Sequence, residues 1–94
     1  MICVLIERIV EDTLLEHYEE NAKSILQEAV QIPGFMSGES LRDLDNPHKR
    51  IIWTKWRSAA DWQAWQKSNK RQALMEKIQP LLVGDEKIRL LEHS

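Results

Sequence analysis

Four tryptophans, Trp53, Trp56, Trp62 and Trp65, fall within the nineteen residues Ile51–Asn69. Indoles offer broad apolar faces with one N–H each. They suit a pocket for a flat ligand such as a quinone, a polyketide ring or a porphyrin, and they suit core and interface packing equally. Trp53 and Trp56 have opposite parity in a strand-like run, so they point to opposite faces. Trp62 and Trp65 lie three apart in a helix-like run and are neighbours on one face. Glu7 and Arg8 close an apolar run near the N-terminus. A carboxylate against apolar walls has a raised pKa and can act as a base, while the plainer reading is an ion pair between strand ends. Lys67, Lys70 and Arg71 follow Trp65, as a solvated helix face or as an attractor of an anionic ligand.

Other chemistries find no support. His17, His48 and His93 are scattered, with no pair at i, i+4 spacing, so no metal centre is expected. Cys3 is alone and lies in an apolar run. It reads as a buried inert thiol, with no intramolecular disulfide or cysteine zinc site. Ser24, Ser37 and Ser40 lack a nucleophile-elbow context, and no glycine-rich phosphate loop occurs. No cofactor is expected.

The elements that must position these residues follow from periodicity. Ile2 to Val10 is rich in β-branched residues and reads as a strand. Glu11-Asp12-Thr13 opens a helix, with Glu16 in capping-box position to Thr13. Leu14, Leu15, Tyr18, Ala22, Ile25, Leu26, Ala29 and Val30 form its packed stripe. Pro33-Gly34 ends it. Phe35 to Leu44 is a second strand, in which Gly38 marks a bulge or a close approach. Asp45-Asn46-Pro47 turns the chain into a third strand, Lys49 to Arg57. Ser58 caps a helix over Ala59–Lys67, a break falls near Asn69, and a second helical segment runs to Pro80. Val83 to Leu91 is the last strand. The order β-α-β-β-α-β predicts a ferredoxin-like α+β domain: a four-stranded antiparallel sheet with both helices on one face. Strands one to three are apolar on both parities, so the bare sheet face needs a partner, and a second copy is the simplest.

Ninety-four residues make one domain, 1–94, with a thin core. The composition, 43% apolar and 30% charged, is that of a globular chain. The net charge of -2 argues against a nucleic-acid partner. Residues 1–45 carry ten acids and three bases, whereas residues 46–94 carry five acids and ten bases. These halves either neutralise each other within one fold or face each other across a dimer. Met1 leads directly into strand-like sequence, and no apolar run approaches the ~20 residues of a membrane span. A cytoplasmic chain with no membrane association is the expectation.

The Pro33-Gly34-Phe35 turn, the run WRSAADWQAWQKS at Trp56–Ser68 and the order of elements together resemble the antibiotic biosynthesis monooxygenase (ABM) domain across the whole chain. The resemblance implies a dimeric α+β barrel. It also implies a cofactor-independent monooxygenase acting on a small aromatic or quinol. In that picture Trp65 packs on the substrate, Asn69 hydrogen-bonds an oxygen and Glu7 helps deprotonate a hydroxyl, within a pocket that includes Trp62, Trp53, Met75 and Arg8. Heme-degrading members of the family carry an Asn near the end of strand one, a Trp in the second helix and a His ten residues later. Here those positions hold Glu7, Trp65 and Met75, which points away from heme degradation. A non-catalytic dimeric binding module and a divergent heme-binding protein are the alternatives.

Overall fold

The computed structural model describes residues 1–93. The chain runs β1 (Ile2–Ile9), α1 (Leu15–Ala29), β2 (Phe35–Arg42), β3 (Lys49–Trp56), α2 (Ala59–Lys67), α3 (Asn69–Ile78), a 3-10 turn (Gln79–Leu81) and β4 (Lys87–Glu92). The strands form one antiparallel sheet in the order β2-β3-β1-β4. This is the ferredoxin-like α+β fold expected from the order of elements. The most apolar strand, β1, lies inside the sheet, where both its edges are paired.

Alternation within the strands divides the sheet into two faces. Ile2, Val4 and Ile6 of β1, with Ile52 and Trp56 of β3, pack against Tyr18, Ala22, Ile25 and Ala29 of α1, Trp62 and Trp65 of α2, and Ile78 of α3. Trp56 is the hub of this core. Its ring meets Phe35 edge-on at 5.3 Å and Trp62 at 5.7 Å, contacts worth about 0.5–1.5 kcal/mol each beyond their burial. Its indole N–H donates to Thr54 Oγ1, which in turn donates to the Val4 carbonyl, so no polar atom of the pair is stranded. The opposite face carries Leu5, Ile51, Trp53 and Leu41 among charged neighbours. Trp53 and Trp56 therefore part as their parity requires.

Two local details depart from the sequence expectation. The Thr13 capping box does not form: Leu14 holds the cap position of α1 with no side-chain bond, because the Leu14 amide donates to Glu11 in a preceding turn. β4 starts at Lys87 rather than Val83. Gly84 takes a positive φ of 79°, and the Val83 amide turns back to the Ile9 carbonyl, so residues 83–86 form a turn. The register shift of β2 lies between Phe35 and Ser37. Of the two readings of Gly38 the close approach holds: an added Cβ there would press on Leu26, Phe35 and Thr54. The break near Asn69 is present, with Ser68 in extended conformation between α2 and α3.

The turn at Pro33-Gly34-Phe35 depends on glycine. Gly34 has φ of 92°, and a side chain there would collide with Asp61. Its carbonyl accepts the Arg57 amide at 2.7 Å, which ties the start of β2 to the start of α2. Ser58 then caps α2, accepting the Asp61 amide at 3.2 Å. No helix among the described residues is long and apolar enough to cross a membrane.

Candidate functional site

A cavity of about 330 Å³ lies between α1 and the sheet, closed at one end by α2 and α3. Its apolar wall is built from Ile6, Tyr18, Ala22, Ile25, Ile52, Trp56, Trp62 and Trp65. Exposed Glu19, Lys23 and Ser40 stand at its rim, so it opens to solvent between α1 and β2. A cavity of about 150 Å³ takes one benzene ring. This one is about twice as large and fits a fused ring system of two or three rings.

The polar wall is cationic. Arg8 from β1, Arg50 from β3 and Arg71 from α3 line the cavity with exposures of 3%, 6% and 5%. Glu86 joins two of them, accepting from Arg8 Nε at 2.8 Å and from Arg71 Nη2 at 3.1 Å. Arg8 Nη1 also donates to the hydroxyl of fully buried Tyr18 at 3.2 Å. The Arg8 and Arg50 guanidinium carbons each lie 5.9 Å from the Tyr18 ring centre, and that of Arg71 lies 5.3 Å from the Trp62 ring. Arg50 donates to Glu19 at 3.0 Å and to the Pro47 carbonyl at 2.9 Å. Burial acts to lower the Arg8 pKa, but Tyr18 and Glu86 outweigh it and the net direction is up. For Arg71 burial prevails over Glu86 and is reinforced by the charge of Arg8, so its pKa is pushed down. An arginine stays protonated throughout such shifts.

One donor in this wall has no acceptor. The Trp62 indole N–H is buried without a hydrogen-bond partner among the described residues. Leaving such a group unpaired costs about 1–3 kcal/mol.

Of the residues named from sequence, Trp62, Trp65 and Arg8 line this cavity. The other four lie elsewhere. Glu7 follows the parity of Leu5 and points to the bare face, where it pairs with Lys49. That hydrogen bond holds its carboxyl below the ordinary glutamate value, the wrong direction for a base near neutral pH. Trp53 lies on the same bare face, beside Ser37, Glu39 and Lys55 in a shallow depression. Asn69 is the exposed first residue of α3. Met75 stands behind the wall, its Sδ accepting from Arg8 Nη2 at 3.7 Å. The expected placement of Glu7 at the substrate pocket is thus corrected: a one-residue step along a strand reverses the face, and Arg8 occupies the inward position.

Sequence reasoning passed over Arg50, Glu86 and the inward turn of Arg71. For Arg50 a signal existed, since it shares the parity of Ile52 and Trp56. Among the described residues no group of three or more His, Cys, Asp or Glu side chains is placed to hold a metal ion.

Comparison with known proteins bears on this geometry. The sequence model of the antibiotic biosynthesis monooxygenase family matches residues 1–77. Protein SchA of Streptomyces halstedii is 25% identical over 76 residues, covering 81% of this chain and 19% of that protein. The chain thus spans about a fifth of the length of this curated relative. Among solved structures, a conserved protein from Methanosarcina mazei superimposes with a TM-score of 0.92 at 15% identity, covering 99% of this chain and 92% of that one. A candidate antibiotic biosynthesis monooxygenase from Nitrosomonas europaea gives 0.89 at 14%, covering 99% and 98%. A mutant of SnoaB, a cofactor-independent oxygenase from Streptomyces nogalater, gives 0.86 at 13%, covering 98% and 91%. At these identities the superpositions speak to the fold.

Proposed function

The chain belongs to the antibiotic biosynthesis monooxygenase family, and from that premise we propose that it is a cofactor-independent monooxygenase of a small aromatic or quinol substrate. The observation that carries the reading is the cavity itself, walled by Tyr18, Trp56, Trp62 and Trp65 and furnished with arginines. A hydroquinone ring would lie against the indoles, with an acidic oxygen turned to the guanidinium groups. Nearby positive charge lowers the pKa of a phenolic hydroxyl. The hydroxyl proton can then leave through the mouth, with no dedicated carboxylate base such as Glu7. The resulting phenolate is electron-rich enough to reduce dioxygen. One oxygen atom forms a C–O bond to the ring, the O–O bond breaks, and the second oxygen leaves as water. The ring is oxidised to a hydroxyquinone, so substrate and dioxygen are consumed one to one. The apolar wall keeps bulk water from the reacting carbon. We extend this reading to a homodimer in which a second copy covers the bare sheet face.

Oxygen uptake with a panel of hydroquinones and naphthols tests the proposal. The expected result is equimolar oxygen and substrate consumption, ¹⁸O from labelled dioxygen in the product, and a rate at least about tenfold lower in Trp65→Phe, from lost positioning. A second reading has its own support. Glu7 and Asn69, the groups expected to move a proton and hold an oxygen, lie outside the cavity lining, which favours a binding module that keeps the pocket without the reaction. An inactive panel, with ligand binding retained, would put that reading first.

A further inference from the structure

The arginines are arranged in a way that ring binding alone does not require. Arg8 and Arg50 are directly opposed in the β1–β3 ladder, and Arg42 is opposed to Arg50 in the β2–β3 ladder. Three arginines thus occupy one row across three strands, at positions of the helix-facing parity. Like charges directly opposite one another in a sheet repel, and here two of the three are buried. Arg71 adds a third buried guanidinium from α3. Among the described residues, the one largely buried acid joined to these groups is Glu86, its side chain 11% exposed, and it is divided between Arg8 and Arg71. The acid on Arg50 is Glu19, whose side chain is 56% exposed. Excess cation away from water is costly without a counter-charge, and this excess is maintained in a chain whose net charge is -2.

We infer that the ligand of this cavity is an aromatic carboxylate, its ring among the tryptophans and its carboxylate on the Arg50–Arg8 side of the wall. The inference rests on the reading of the cavity as the substrate site and adds a substituent that stays ionised across the neutral range. A carboxylate suits this wall because the guanidinium fork matches its two oxygens. Arg42, exposed at the sheet edge, extends the positive row toward the mouth and draws an anion in from solvent.

The test is binding without turnover. Titration calorimetry under anaerobic conditions compares 1-hydroxy-2-naphthoate with 1-hydroxy-2-naphthamide, which matches it in shape and lacks the charge. The carboxylate is expected to bind at least about tenfold more tightly, the scale of one charge-assisted hydrogen bond. In Arg50→Gln the preference should fall below about threefold, with circular dichroism unchanged. In Arg42→Gln, at an exposed site that folding tolerates, carboxylate affinity should fall about two- to threefold while amide affinity holds. Equal affinity of the two ligands for the unmodified protein, or no carboxylate binding at millimolar concentration, overturns the inference. Carboxylate-selective binding without oxygen uptake would remove the oxygenase reading and leave this one standing. Oxygen uptake from neutral naphthols, with no preference for the carboxylate, would do the reverse.

Discussion

At the scale of single residues, the fate of each polar group was decided by strand parity. Arg8 and Glu7 are neighbours in sequence with opposite destinies, one in the cavity wall and the other paired with Lys49 on the bare face. The two-residue period that separates Trp53 from Trp56 separates these two as well. Arg50 was legible on the same ground. Glu86 was not, since its partners Arg8 and Arg71 lie 78 and 15 residues away and no local pattern brings them together. Glu86 also sets the clearest energetic test. It is the shared carboxylate of two buried cations, with its own side chain 11% exposed. Removing one partner of a buried charge pair costs about 3–5 kcal/mol, because the remaining charge is left uncompensated. Glu86→Gln should therefore lower unfolding free energy in urea by about 3 kcal/mol. A loss below about 1 kcal/mol would mean that water reaches the cluster and screens it.

At the scale of elements, periodicity gave the order and most boundaries, because each helix buries one stripe and each inner strand alternates. The misplacements fell where backbone geometry overrides pattern: the turn before α1 and the left-handed Gly84. The α2–α3 junction was legible because Ser68 is a good cap and a poor continuation. Its hydroxyl donates to the Trp65 carbonyl at 2.7 Å and accepts the Arg71 amide at 3.1 Å. One serine thus joins the helix end that carries Trp65 to the helix start that carries Arg71. Ser68→Ala should cost about 1 kcal/mol, the usual loss for a missing cap. Amide hydrogen exchange should accelerate at Arg71 and its neighbours in the first turn of α3 while β1 amides are unchanged. Uniform acceleration across the chain would argue that Ser68 has no local role.

At the scale of the whole molecule, the ferredoxin-like fold was readable from the order of elements, whereas the covering of its second face was not, since a single chain shows the face but not its occupant. Leu5, Ile51, Trp53 and Leu41 present an apolar band there, interrupted by the Glu7–Lys49 pair. A second copy would remove this band from water and thicken a core that a chain of 94 residues leaves thin. Sedimentation should therefore give twice the chain mass of 11.1 kDa. Trp53→Glu should shift the population toward the single-chain mass, since burying an unpaired carboxylate opposes association. A monomer at micromolar concentration in the unmodified protein would rule the dimeric barrel out.

The division of the tryptophans between the two faces also has an optical consequence. Trp56, Trp62 and Trp65 border the cavity, while Trp53 stands alone on the opposite side of the sheet. The chain therefore carries two sets of intrinsic fluorophores separated by the thickness of a sheet. Quenching that survives Trp53→Phe reports events in the cavity, and emission lost with that change reports on the outer face, so occupancy and assembly can be followed separately in one cuvette without an added label.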